Sequence, residues 1–298
     1  MDDLRKRNSK TFTTTQVRAG WEVECTDAEV ARDEDNCDED GNYTYWEDMP
    51  LSNEVDRHTD GSVGGRSLEF VARKPHTPLR AMRHLKEFME QYHPLLDDSC
   101  GVHFHVSIRP KLEDDMTVET MRKIEKKYKK KLHSFSNNLF MLASLYEKRL
   151  FETLADSRDV NQYCRRIGRV LTSKGDVKKK LGYLSSSKYS NDKRYCWINF
   201  VELYRPNGIR TVEFRALGDN VTYKQMLAHF VFVLTLVWGA LKIDIEDDPA
   251  TMKIVMDYLD RQIKAINNIN SHHSDSLSLE VLNSLTRKLQ TGIEEITI

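Results

Sequence analysis

The stretch "RAGWEVECTD", residues 18–27, sets two glutamates one residue apart within an apolar frame. Side chains two positions apart in an extended strand lie on the same face. Glu22 and Glu24 therefore point one way, while Trp21 and Val23 point the other. Two adjacent carboxylates repel each other unless positive charge lies between them. The stretch predicts a strand with one apolar face for the core and one acidic face that needs cations.

The same alternation of polar and bulky apolar residues recurs in three other segments. Their polar residues are Glu69, His103, His105, Glu213 and Arg215, and each adjoins an aromatic residue, Phe70, Phe104 or Phe214. One such pattern alone is more typical of a surface strand or a cross-strand ion pair. Gathering several carboxylates on one sheet face requires cations, so adjacent strands of this kind predict a metal site.

The ligand types indicate which metal such a face would hold. Several glutamates are hard oxygen ligands that suit Mg²⁺, or Mn²⁺ where a histidine joins them, and no cysteine accompanies them. Mg²⁺ commonly meets substrate phosphates, and Arg215 beside Glu213 is placed to bind a phosphate with two hydrogen bonds. Arg194, Arg73 and Lys74 adjoin other candidate strands and could do the same. Carboxylates, a divalent metal and arginines together predict a phosphoryl-transfer site.

The remaining pattern predicts an α+β fold with an antiparallel sheet and helices packed on one face. Strands are expected at about 11–16, 18–26, 66–73 and 101–109, and at 194–204 and 209–217 as a hairpin. Helices are expected to begin at Pro78 and at Thr117, and near 222–243, 249–268 and 276–292. Residues 1–10 read as a flexible arm, 155–193 as polar loops, and 11–298 as a single domain with a helical C-terminal part, about 222–298.

Composition argues against several classes of protein. The formal net charge is -1, so the overall charge gives no support for binding to nucleic acid or to an anionic membrane. Five scattered cysteines without a CxxC pair argue against a disulfide scaffold and favour a reducing, cytoplasmic location. The first residues lack an apolar signal segment, and the apolar run 230–241 is short for a bilayer and predicts a buried helix.

Five motifs, the second of them in two parts, resemble in order those of the amidoligase enzymes, which are related to glutamine synthetase and glutamate–cysteine ligase. These segments are "GWEVE" (20–24), "DGSV" (60–63), "SLEFVARKP" (67–75), "GVHFHV" (101–106), "RYCWINF" (194–200) and "TVEFRAL" (211–217). The resemblance implies a curved antiparallel sheet of the glutamine synthetase catalytic type, with helices on its outer face. It also implies an ATP-dependent carboxylate–amine ligase that acts through an acyl phosphate, with ATP and Mg²⁺ (or Mn²⁺) as cofactors.

The resemblance also assigns roles to residues at the matching positions. It makes Glu22, Glu24, Glu69 and Glu213 metal ligands, and His103 or His105 a metal or phosphate contact. Arg215 would neutralise the transferring phosphoryl group, and Arg194 and Asn199 would contact phosphate or substrate. Asp60 and Ser62 would line the substrate pocket, with Asp60 as general base on the incoming amine. The family often has a small, proline-containing turn after the glutamate that corresponds to Glu69, whereas "VARKP" here brings Arg73 and Lys74 close to the site.

Two other functions compete with the ligase. His103 and His105 with glutamates could hold Zn²⁺ and activate water, as in a metal-dependent hydrolase. The basic runs "KKYKKK" (126–131) and "SKGDVKKK" (173–180) could bind nucleic acid, although such runs are more often solvated faces. The expected partners of the ligase are small-molecule or peptide carboxylates and amines, without a membrane; the sequence leaves an oligomer open.

Overall fold

The computed structural model describes residues 15–26, 46, 49–59, 68–110, 116–154, 164–167, 195–204, 211–218, 221–246, 248–270 and 278–295. Within them, strands and helices alternate in groups along the chain. The fold is α+β, as the sequence predicts.

The strands form one six-stranded antiparallel sheet with open edges. They are β1 (Thr15–Cys25), β2 (Val55–Thr59), β3 (Leu68–Ala72), β4 (Val102–Pro110), β5 (Ile198–Asn199) and β6 (Val212–Leu217). Their order across the sheet is β2-β3-β1-β4-β6-β5. The strand that carries Glu22 and Glu24 therefore lies inside the sheet, next to the strand that carries the two histidines.

The described helices are α1 (Pro78–Tyr92), α2 (Val118–Phe151), α3 (Val201–Tyr204), α4 (Tyr223–Glu246), α5 (Pro249–Asn270) and α6 (Leu279–Glu294). α2 begins after Thr117, whose side-chain oxygen accepts a hydrogen bond from the backbone N–H of Thr120 at 3.2 Å. α1 begins with Pro78, where the missing N–H costs no helical hydrogen bond. Both helix starts confirm the sequence prediction.

Helix α4 is the apolar centre of the helical layer and contacts α2, α5 and α6. Among the described residues, α4 alone is long and apolar enough over Tyr223–Ile243 to cross a membrane, but 83% of that apolar window is buried within the fold. A core helix has these same properties, and the predicted burial of this segment is confirmed.

The apolar face of the sheet lies against the helices through aromatic contacts. The ring of Trp21 on β1 lies 4.9 Å from that of Phe88 on α1, measured between ring centroids. Phe104 on β4 lies 5.0 Å from Phe230 on α4. Fully burying such a side chain contributes about 1.5–3 kcal/mol, so these contacts fix which face of β1 and β4 turns toward the helices.

Three predicted elements differ from the observed ones. β1 runs unbroken through position 17, where the sequence suggested a break between two strands, because Val17 pairs with Ile108 and continues the ladder. β2 was not predicted, because the charged residues of "VDRHT" do not show a strand pattern; among the described strands it pairs with β3 alone. The predicted strand 194–204 is wrong over Val201–Tyr204, where the chain turns into a short helix after the two paired residues of β5.

Candidate metal centre

The polar face of the sheet gathers side chains from three neighbouring strands. Glu22 on β1 stands opposite His103 on β4, and His105 on β4 stands opposite Glu213 on β6. One ligand atom from each of Glu22, His103 and Glu213 lies within 4.8 Å of the others. The predicted convergence of these three residues is therefore present, and it follows from strand order and the two-residue side-chain period.

The imidazole of His103 lies at the centre of the carboxylates. Its Nδ1 is 2.7 Å from Glu22 Oε1 and 3.4 Å from Glu213 Oε1, and its Nε2 is 3.7 Å from Glu24 Oε1. His105 Nε2 approaches the other oxygen of Glu22 at 3.2 Å. His103 lies at an irregularity in the β4–β6 register between Val102 and Phe104, and such irregularities re-aim side chains next to functional sites.

Arg215 supplies the permanent positive charge of the cluster. Its Nη1 donates to Glu213 Oε1 at 2.5 Å, and its Nη2 lies 3.8 Å from Glu24 Oε1. Asn199 on β5 donates from Nδ2 to Glu213 Oε2 at 2.8 Å and accepts from the backbone N–H of Val201 at 2.9 Å. Asn199 thus orients Glu213, with both polar atoms of its side chain engaged inside the protein.

The electrostatic environment favours the ionised forms of Glu22 and Glu213. Burial alone would raise the pKa of Glu22, but His103 and His105 outweigh it and hold that pKa well below its ordinary value. Burial would likewise raise the pKa of Glu213, but Arg215 and the histidines lower it. Burial opposes the charge of Arg215, yet the glutamates raise its pKa. A carboxyl group must be deprotonated to bind a metal ion, and the lowered pKa values of Glu22 and Glu213 favour that form.

A glycine keeps the cluster close-packed. A Cβ placed on Gly101 would lie 2.6 Å from His103 Nε2 and 2.7 Å from Glu24 Oε2. Any larger residue at position 101 would therefore displace both groups. The backbone carbonyl of Gly101 also accepts from the N–H of Glu24 at 2.8 Å, which fixes β1 at this point.

A hollow of about 300 Å³ continues from the cluster along the same face of the sheet. Its lining includes Arg18 and Gly20 from β1, Arg73 after β3, and His105, Ser107 and Arg109 from β4. Arg73 is bound to Asp56 at 2.7 Å. Small-ligand sites begin at roughly this volume. Three arginines around a hollow beside carboxylates suit a ligand that carries both anionic groups and a metal ion.

The other predicted residues divide into two groups. Glu69 is half-buried on β3, opposite Glu24 and on the same face of the sheet, while Lys74 is exposed just beyond Arg73. Asp60, Ser62 and Arg194 lie outside the described residues, as do the loops predicted over most of 155–193 and the run 173–180.

Arg18 and Arg109 are candidate site residues that the sequence reasoning missed. The signal was present, because Arg18 precedes Gly20, Glu22 and Glu24 at a spacing of two, and Arg109 follows His103, His105 and Ser107 at the same spacing. Extending the alternation along β1 and β4 would have placed both arginines on the acidic face.

The donor set of this cluster fits a divalent cation. Its described members include three carboxyl groups, those of Glu22, Glu24 and Glu213, and among them only Arg215 is permanently positive. Carboxylate oxygens with one imidazole nitrogen suit Mg²⁺ or Mn²⁺, and Zn²⁺ also accepts such a set.

No protein-family model matches this chain, and no curated protein matches it.

Proposed function

We propose that this protein is an ATP-dependent carboxylate–amine ligase of the amidoligase kind, built on a sheet of the glutamine synthetase catalytic type. The observation that carries the proposal is the convergence of Glu22, His103 and Glu213 within 4.8 Å, on three adjacent antiparallel strands. The order of the resembling motifs along the chain supports the same conclusion.

The proposed reaction has two steps. A carboxylate oxygen of the substrate attacks the γ-phosphorus of ATP, the bond to the β-phosphate oxygen breaks, and ADP leaves. The nitrogen of the amine then attacks the carbonyl carbon of the acyl phosphate, loses a proton and expels inorganic phosphate as the amide forms. Both steps develop negative charge on phosphate oxygens, and fixed cations stabilise such charge most where water is excluded.

The residues of the polar face divide the work. Glu22, Glu24 and Glu213 would hold the metal with His103, and a bound metal would neutralise the phosphate oxygens and align them. Asn199 and Arg215 hold Glu213 in place. Arg18 and Arg109 line the adjoining hollow and would bind the anionic groups of nucleotide or substrate.

The direct test is turnover of Mg-ATP with pooled amino acids or short peptides. The expected products are ADP, phosphate and a condensed amide in equal amounts. Glu22→Gln keeps the shape of the side chain but removes its charge, and we expect it to abolish product formation. Glu119→Gln is the matched control, since Glu119 is an exposed carboxylate on α2 paired with Lys123. Equal turnover in the two variants would overturn the proposal.

A metal-dependent hydrolase is the second candidate, favoured by one specific contact. His103 and His105 each approach one oxygen of Glu22, at 2.7 and 3.2 Å, so two imidazoles and a carboxylate lie together. Such a set is typical of zinc sites that activate water. Hydrolysis of a peptide or ester substrate with Zn²⁺ and without nucleotide would favour this candidate over the ligase.

A further inference from the structure

A second group of metal-type side chains lies on the opposite, helix-covered side of the sheet. It consists of Glu54, just before β2, His76 in the connection between β3 and α1, and His84 on α1. One ligand atom from each residue lies within 4.8 Å of the others. The His84 ring packs at 5.3 Å from Trp21, which points away from the acidic face of β1. This group is therefore separate from the candidate metal centre.

The histidines of this group have nitrogen atoms that nothing in the described protein satisfies. His84 is 4% exposed, and both its ring nitrogens are buried without a hydrogen-bond partner. Nε2 of His76 is buried in the same way. A buried polar atom without a partner destabilises the fold, because it has lost its hydrogen bonds to water and gained none in the protein. Such atoms converging from separate segments indicate that a ligand completes the site.

The ring orientations and distances suit a shared ligand. The two imidazoles meet nearly edge to face, with centroids 5.3 Å apart. His84 Nε2 lies 3.9 Å from Glu54 Oε2. Two ligands of one tetrahedral zinc ion lie about 3.4 Å apart, given metal–ligand bonds near 2.0–2.1 Å. The half-exposed Glu54 side chain can close that difference by a rotation.

The charges of the surroundings permit a cation. Burial lowers the pKa of both His76 and His84, which favours the neutral form of imidazole that a metal binds. Arg80 and Arg83 line an open hollow of about 340 Å³ beside the group, together with Glu87. Both arginines are exposed, so solvent screens their repulsion of a metal ion.

We propose that Glu54, His76 and His84 form a second metal site that binds a borderline divalent transition ion of the Zn²⁺ class. Two imidazole nitrogens and one carboxylate oxygen are a common zinc donor set, whereas Mg²⁺ prefers oxygen alone. The fourth position opens toward the hollow and would hold water or an anion. An ion bound here would cross-link three segments of the chain, namely the start of β2, the β3–α1 connection and α1. The inference is independent of the proposed function.

The experiment uses full-length protein freed of metal with a chelator and titrated with Zn²⁺, with Co²⁺ as a spectroscopic probe. All titrations are made in a Glu22→Gln background, which weakens binding at the acidic face. Further substitutions are Glu54→Gln and His76→Gln, both at positions that are not fully buried. Glu87→Gln is the matched control, because it lines the same hollow but is not one of the three ligands.

In the background protein and the Glu87→Gln control we expect one Zn²⁺ per chain and the visible Co²⁺ absorption of a four-coordinate site. Zn²⁺ at about 100 times its dissociation constant should raise the melting temperature by roughly 5 °C. Each ligand substitution should weaken Zn²⁺ binding by at least about 100-fold, beyond the 10–100-fold cost of losing an outer partner. Unchanged stoichiometry and affinity in Glu54→Gln and His76→Gln, or no binding in the background protein, would overturn the proposal.

Discussion

Replacing Gly101 by alanine tests whether the acidic cluster is as tightly packed as its distances indicate. The new Cβ would lie 2.6 Å from His103 Nε2 and 2.7 Å from Glu24 Oε2, whereas ordinary contacts begin at 3.4 Å. Each group must retreat by roughly 0.7–0.8 Å to remove the overlap. His103 cannot do so freely, because it is 1% exposed and bound to Glu22 at 2.7 Å.

The size of the effect follows from these contacts. Overpacking a filled site costs about 1–3 kcal/mol, and a stretched hydrogen bond to a charged group costs up to a similar amount. We expect Gly101→Ala to lower the free energy of unfolding by about 2–3 kcal/mol, a fall in melting temperature of roughly 5 °C. Displacing His103 and Glu24 should also weaken Mn²⁺ binding by roughly 10–100-fold, as when ligand-orienting groups are lost.

Gly20→Ala provides the matched comparison. Gly20 lies on the same polar face, but its added Cβ would meet only the Cβ of His105, at an ordinary 3.9 Å. This variant should fold with unchanged or slightly higher stability, because alanine reduces the freedom of the unfolded chain. The measurements are thermal unfolding without metal and Mn²⁺ titration. If Gly101→Ala matches Gly20→Ala in both, the packing described for the cluster is wrong.

Three further predictions concern Asn199, His229 and Gly239. Asn199→Ala removes the donor to Glu213 Oε2 and should cost about 1–3 kcal/mol in chemical denaturation; no loss would contradict its role as a support of Glu213. Burial lowers the pKa of His229 from 6.5 to about 3, so the unfolded chain takes up the proton first and stability falls as pH drops below 6.5. Between pH 7.5 and 4.5 this loss amounts to about 2–3 kcal/mol, and His229→Leu should remove that part of the pH dependence; an identical profile would refute it. Gly239→Ala would push a methyl group into Val255 of α5, and should lower the melting temperature despite the better helix propensity of alanine.

The period-two alternation accounts for how much of the site could be predicted. It correctly placed Glu22, His103 and Glu213 on one face. A buried apolar face fixes the strand register, and the alternate residues must then lie on the opposite face. The alternation could not say which strands are neighbours; that depends on long-range packing of Trp21 and Phe104 against α1 and α4.

Elements that form because of tertiary contacts could not be predicted from the sequence. β2 carries charged residues in an order without clear alternation and becomes a strand because β3 offers it an edge. The helical turn after β5 begins where the Asn199 side chain accepts a hydrogen bond from the backbone N–H of Val201, which is a local capping contact. The mostly apolar run "CWINFVELY" instead predicts a continuous strand. The group of Glu54, His76 and His84 was not predicted for another reason: its members come from different elements, so no regular sequence spacing relates them.

β1 contributes to the candidate metal centre and to the hydrophobic core at the same time. The same eleven residues supply Trp21 to the helical layer and Glu22 to the opposite surface, in a ladder with neighbours on both sides. An insertion or deletion of a single residue here would exchange the two faces, driving carboxylates under α1 and turning the indole ring out over the arginines. In homologous proteins we therefore expect insertions and deletions in the connections between elements, while the number of residues in β1 stays the same.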